Sequence, residues 1–262
     1  MTLLVSLYTS QGIVFAADSA ITRDGRRGIE RLPKQEKFLK TSRVGVSGGL
    51  VGYFGLAEVG AEPMSVWLRR VLDRWNGSLS VGDLGNYLCD ALNEAVPDAH
   101  RHGVPSGFHI GAFETRAGSP VPVFRYVWNY RDLDEETGVY SGFSDYQSDE
   151  HFPRGQAAFA DLSPARMRQG LRAWETTEGV PFWFRNGELA FSAQAWHGLT
   201  WAIRQVVRNQ SHRGFALPDD LARWEQLADS LVRTNGRLFA MLKQEGPPTI
   251  EGPYRKASIP WP

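Results

Sequence analysis

Apolar positions crowd the start of the chain. Residues 3–8 (LLVSLY) read as a strand, 9–12 as a turn, and 13–17 (IVFAA) as a second, more buried strand. Residues 22–35 break that pattern with several Arg, two Gly and a Pro, which predicts a loop or irregular excursion. Short strand candidates at 38–40 and 43–47 flank Thr41-Ser42, and their pattern ends at Gly48-Gly49. Helical spacing follows over 53–75, interrupted at Glu62-Pro63, and again over 81–96, with Ser80 as N-cap and Pro97 as the stop. Strands return at 108–114 and 121–128. Residues 129–160 are polar, aromatic and aperiodic, predicting a long loop or insertion that faces a partner or serves function. Residues 163–176 read as a helix with Ser163 as N-cap and Pro164 in the first turn. Alternation across Asn186-Gly187 predicts a hairpin over 182–191. Helices over 196–209 and 219–244 and a strand over 249–259 close the chain. Strands, two helices, strands and more helices make an α+β layered arrangement. The expectation is one domain over 1–262, with a divergent insertion at 129–160 and a helical C-terminal region at 163–246.

Composition removes several classes of function. Lys plus Arg and Asp plus Glu each total 29, so no net field draws the chain to nucleic acid or to a membrane surface. The single cysteine, Cys89, permits no internal disulfide and no cysteine-based zinc site, and a buried apolar role suits its helical surroundings. No apolar run approaches the ~20 residues that span a bilayer. The N-terminus lacks a basic flank, so a cytoplasmic protein is expected.

Candidate chemistry concentrates at the beginning. Thr2 is small enough for Met1 to be removed, which would leave a hydroxyl and a free α-amine on one residue. An unperturbed α-amine titrates at about 7.7–8.0, within the range of a general base, and threonine with its own amine is a known activated nucleophile. Asp18 follows at the end of the second strand. Lys34 and Lys37 follow it, and Lys37 leads directly into Phe38-Leu39.

Thr2, the GIVFAADS segment with Asp18, a lysine before apolar residues and the VGVSGG segment together resemble the opening of proteasome β subunits. They are similar also to bacterial proteasome-like peptidases, the Anbu group among them. All are N-terminal-nucleophile hydrolases. The resemblance covers residues 2–60 and continues loosely to about 128. It implies a four-layer αββα sandwich and a threonine peptidase with Thr2 as nucleophile and Asp18 as the acid that holds a lysine. By count from Asp18 that lysine is Lys34; by local pattern it is Lys37, the favoured choice. Gly48 would donate a backbone N–H to the oxyanion, and Ser141-Gly142-Phe143-Ser144-Asp145 would be the counterpart of a pair that orients the terminal amine. The resemblance further implies a peptide or protein substrate, no cofactor, and a homo-oligomeric ring or stacked ring, leaving open an ATPase partner. An inactive assembly subunit and a small-molecule amidase of the same superfamily are the alternatives.

Other motifs add little. His100, His102 and His109 come without an HExxH or carboxylate pattern, so no metal site is expected. The nine Trp read as core or interface. The Gly48–Gly52 run lacks the Lys-Ser/Thr of a phosphate loop.

Overall fold

The structure is a computed structural model that describes residues 3–25, 28–116, 118–134, 139–150, 168–169, 171–172, 175, 182–187, 189–210, 214, 216–242 and 253–262. Thr2 and residues 151–167 lie outside these, as does most of the helix expected over 163–176; residues 168, 169, 171, 172 and 175 of that stretch are helical.

The first strand, β1 (Leu3–Thr9), turns back through Ser10-Gln11 into β2 (Gly12–Ala17). Every residue of both strands is buried, so apolar side chains serve two faces at once. The polar composition of residues 22–35 does not keep strands out of this stretch. β3 (Ile21–Gly25) and β4 (Gly28–Leu32) pair antiparallel where a loop or irregular excursion was expected.

β5 (Phe38–Thr41) then pairs with β6 (Gly49–Phe54). This corrects two expectations. Residues 43–47 form bends instead of a strand, because their backbone is tied elsewhere: Gly45 N–H donates to Leu79 O and Val46 N–H to Phe113 O. GLVGYF is a wholly buried strand instead of the entry to a helix, since a continuous apolar run has no period to separate the two. Two short strands, β7 (Glu58–Val59) and β8 (Glu62–Pro63), precede α1 (Met64–Arg74). α2 (Val81–Ala95) starts as expected, with Ser80 Oγ accepting the Asp83 N–H at 3.1 Å. After the single turn α3 (Asp98–Arg101), β9 (Gly107–Arg116) and β10 (Ser119–Trp128) form the longest pair.

The stretch expected as one long loop contains β11 (Asp132–Asp134), β12 (Val139–Ser141) and β13 (Gln147–Glu150), the last paired with β10. The expected hairpin around Asn186-Gly187 is instead a single strand, β14 (Phe182–Gly187). It pairs with β1, and the chain passes into α4 (Leu189–Gln210). α5 (Leu221–Leu242) and β15 (Arg255–Pro260) follow.

Two antiparallel sheets dominate, one ordered β14-β1-β2-β15 and the other β13-β10-β9-β6-β5. Three apolar clusters show how they stack. Strand alternation sends Leu4, Tyr8, Ile13 and Phe15 inward, to meet Leu50, Phe113 and Phe124 of the other sheet. Leu3, Val5, Leu7, Val14 and Ala16 point the other way, against Trp224, Ala228, Leu231 and Val232 of α5. On the far face of the five-stranded sheet, Val51, Tyr53, Phe108 and Ile110 pack on Trp67 and Leu68 of α1 and on Leu84 and Leu88 of α2. The chain is thus a mixed α/β protein with helices on the outer faces of two facing sheets. Among the described residues no helix is long and apolar enough to cross a membrane.

Candidate active site at the Asp18 end of the sheets

β1 and β2 are antiparallel, so the start of the first meets the end of the second, with Leu4 opposite Ala17. Asp18, fully buried, lies just past that pair. Its Oδ1 accepts the Leu3 N–H at 2.8 Å and its Oδ2 the Ala20 N–H at 3.0 Å, while its own N–H donates to Leu3 O at 3.3 Å. Two backbone donors on one carboxylate favour the ionised form and fix its orientation. The residue held most directly is the one that follows Thr2.

Lys37 is the second member. It precedes β5, its carbonyl accepts the Tyr53 N–H at 2.8 Å, and its side chain is only 1% exposed. Its Nζ stands 5.7 Å from the centre of the Tyr53 ring. Burial pushes the amine down from 10.5 to about 8, and the negative charge of Asp18 pulls the other way. A lysine lowered to about 8 changes charge well below the pH at which an exposed one does. Lys34 is exposed, so of the two candidate lysines only Lys37 shares a buried environment with Asp18.

Gln35 braces this corner. Its Oε1 accepts from Tyr53 Oη at 3.0 Å and from the Ser65 N–H at 3.2 Å, and its Nε2 donates to Ala57 O at 3.1 Å. Burial raises the Tyr53 hydroxyl well above the ordinary tyrosine range, so it stays protonated and a donor. Beside Asp18, the buried Ser19 hydroxyl has no hydrogen-bond partner among the described residues.

Gly48 is not brought to this corner. The register sets Phe38 opposite Gly52 and Thr41 opposite Gly49, which puts Gly48 at the end of the hairpin away from Lys37. The facing sheet agrees: a Cβ on Gly52 would lie 2.9 Å from Leu4, whereas one on Gly111, opposite Leu50, would lie 2.6 Å from Tyr8 Oη at the far end of β1. Four residues of extended chain, ~13 Å, therefore separate the level of Gly49 from that of Tyr53. Glycine at 48 has a conformational reason of its own, φ +88°, with Thr41 O 2.8 Å from where a Cβ would sit. The glycine at the Lys37 end of β6 is Gly55, φ +84°.

The Ser141–Asp145 segment is engaged elsewhere. Asp145 pairs with Arg101 at 2.9 Å and is 65% exposed, and the Ser144 N–H donates to Asn129 O. β13, which follows the segment, is three strand spacings from β6, ~14 Å.

A buried polar chain that the sequence did not announce runs between the sheets behind the site. His109 Nδ1 meets Ser6 Oγ at 2.8 Å and its Nε2 meets Asn186 Oδ1 at 2.6 Å; Asn186 Nδ2 donates to Tyr130 Oη at 3.0 Å, which in turn bonds Tyr126 Oη. Since Asn186 Oδ1 can only accept, His109 carries a proton on Nε2. The rings of Phe15, Phe54 and Phe124 surround the imidazole, so each polar atom depends on its partner. The only sequence signal was strand-face alternation, which puts Ser6 and His109 on the inner side.

No protein-family model matches this chain, and no curated protein does. Among solved structures it is similar to Anbu (ancestral beta-subunit) from Yersinia bercovieri, at 13% identity and a TM-score of 0.47, over 98% of this chain and 80% of that one. It is also similar to the Anbu (Gly-1) mutant from Hyphomicrobium sp. strain MC1, at 14% identity and a TM-score of 0.36, over 94% of this chain and all (100%) of that one.

Proposed function

We propose that this chain is a proteasome β-subunit-like N-terminal-nucleophile hydrolase that cleaves amide bonds of peptides, with Thr2 exposed by removal of Met1. The observation that carries the reading is a fully buried Lys37 within the electrostatic influence of an equally buried Asp18 that grips the amide of Leu3. Nothing about folding alone calls for a lysine ammonium in that position, since burying it costs stability. The alternation of helices, sheet, sheet and helices supports a four-layer αββα sandwich as its architecture.

In the proposed reaction Thr2 Oγ attacks the substrate carbonyl carbon while its proton passes to the Thr2 α-amine. The ammonium of Lys37 lowers the cost of the developing alkoxide, and Asp18 keeps that ammonium charged and oriented. The backbone N–H of Gly55, just past the end of β6, stabilises the tetrahedral oxyanion, in place of that of Gly48, which the resemblance named. The α-ammonium gives its proton to the departing amine, leaving an ester on Thr2. Water then attacks the ester, and the acid product leaves with Thr2 Oγ protonated again.

Assembly into a homo-oligomeric ring or stacked ring in the cytoplasm belongs to the same proposal. The outer helices α4 and α5 support it, for they expose Trp201 and Met241, 65% and 80% accessible. Intact mass of the purified chain, with turnover of fluorogenic peptides by the native protein and by Thr2→Ala, tests the core of it. Expected are loss of Met1 and an inactive variant. Retained Met1 and no turnover would favour an inactive assembly subunit; turnover of small amides but not peptides would favour an amidase.

A further inference from the structure

The β1–β2 turn lies about 20 Å from Asp18, the length of a seven-residue strand. There the structure holds a cleft of about 600 Å³. Its base is firmly built. Glu175 is only 1% exposed, and its carboxylate accepts the Ser10 N–H at 2.7 Å, the Ser10 hydroxyl at 2.8 Å and Arg172 Nη1 at 3.2 Å. The charge of Arg172 is therefore met from within the protein.

Arg168 is different. Its Nε donates to Ser10 O at 2.9 Å, and its guanidinium lies 5.5 Å from the centre of the Trp261 ring. Trp261 is in turn held by its N–H to Gln11 O and by edge contact with Phe113. One donor and one face of the guanidinium are thus used to fix its position. Its two Nη groups carry no hydrogen bond among the described residues, and the side chain lines the cleft. A guanidinium held by stacking with its fork free is arranged for bidentate capture of a planar anion. Around it the wall sets Trp261, Pro120 and Pro262 beside the polar Gln11, Ser119 and Gln169.

We propose that this cleft is a second ligand site, taking an organic monocarboxylate whose apolar body lies against Trp261 and Pro120 while its carboxylate pairs with Arg168. One guanidinium whose Nη groups carry no hydrogen bond among the described residues suits a single negative charge, and the apolar side chains of Trp261, Pro120 and Pro262 on one part of the wall suit an aromatic or branched body better than a bare ion. The site stands apart from the Asp18 corner and does not depend on the hydrolase reading.

Calorimetric titration of the full chain with 3-phenylpropionate and with neutral 3-phenyl-1-propanol tests it, neither probe having a bond to hydrolyse. Saturable binding of the acid is expected, at least about tenfold tighter than the alcohol, and weakened about tenfold or more by Arg168→Gln. Competition by glycyl-phenylalanine would assign the carboxylate to a peptide terminus, and its failure to a free small acid. Equal binding of acid and alcohol, no saturation by about 10 mM, or unchanged affinity in a folded Arg168→Gln protein would overturn the proposal. The acid-against-alcohol comparison uses the native chain and stands even where the variant does not fold.

Discussion

Asp18 holds the backbone of Leu3 from both sides: its Oδ1 accepts the Leu3 N–H at 2.8 Å and its own N–H donates to the Leu3 carbonyl at 3.3 Å. The end of β2 therefore fixes the residue next to Thr2, and it does so with a buried charge. Replacing Asp18 by Ala removes the acceptor for two buried N–H groups and the counter-charge to Lys37. The expected cost is about 3–5 kcal/mol of stability by denaturant titration. Asp18→Asn, which keeps one acceptor oxygen, should cost less yet still abolish peptide turnover.

Lys37 gives a pH signature in stability. Its amine is held at about 8 in the folded chain, against an ordinary 10.5 when unfolded. Between those values the unfolded chain binds the proton that the folded chain has released, so this group's contribution rises with pH across the window. It is fully present above 10.5 and is lost as pH falls through about 8. Thermal melts from pH 8 to 10.5 should show a smaller pH dependence in Lys37→Met than in the native protein.

Catalysis should show the same group with the opposite sense. The ammonium is the active form in the proposed mechanism, so turnover falls as pH rises through about 8. The acid limb comes from the α-amine, which must be neutral and titrates at about 7.7–8.0 when unperturbed. A narrow bell centred near 8 is expected, with apparent values belonging to the pair. Lys37→Met should lower kcat by about 10²–10³, the loss typical of one oriented electrostatic stabiliser. A profile that climbs steadily above pH 9 would show the neutral amine acting as the base.

Two glycines with positive φ, Gly48 and Gly55, separate the candidates for the oxyanion donor. A Cβ on Gly55 would lie 2.0 Å from Pro105 O and one on Gly48 2.8 Å from Thr41 O, so both alanine variants lose stability, by about 1–3 kcal/mol for the strained φ alone. Activity per folded molecule should distinguish them. Gly55→Ala is expected to lose turnover, and Gly48→Ala to keep it within severalfold. The reverse order would return the oxyanion role to Gly48.

The Ser6–His109–Asn186 chain is expected to behave as one unit. His109→Phe leaves the Ser6 hydroxyl and the Asn186 oxygen without partners inside an aromatic core, at a cost of about 2–4 kcal/mol. Adding Ser6→Ala should recover part of that loss, and a double-mutant cycle should give a coupling above about 0.5 kcal/mol. Additive losses would mean that the two side chains act separately.

Much of the fold was legible where pattern and length agree. β1, β2, β9, β10 and α2 follow from alternation, burial-type runs and a serine cap, since local sequence alone sets those signals. β6 was not legible, because GLVGYF has no polar position to reveal its period. Nor was β14: Asn186-Gly187 carries a strong turn preference, yet pairing with β1 from Leu3 to Tyr8 outweighs it. Strand register is a tertiary quantity, and it moved the oxyanion candidate from Gly48 to the opposite end of β6.

By itself the sequence determined which chemistry was on offer: a threonine at position 2, an aspartate closing the second strand, a lysine leading into Phe38-Leu39, and a formal net charge of zero. Only the tertiary structure decided which lysine is buried beside Asp18, which glycine lies at its level, and that a polar chain through His109 crosses the core. The reason is physical. Residue type limits what a side chain can do, but burial sets its charge state, and strand register sets which groups stand within reach of one another.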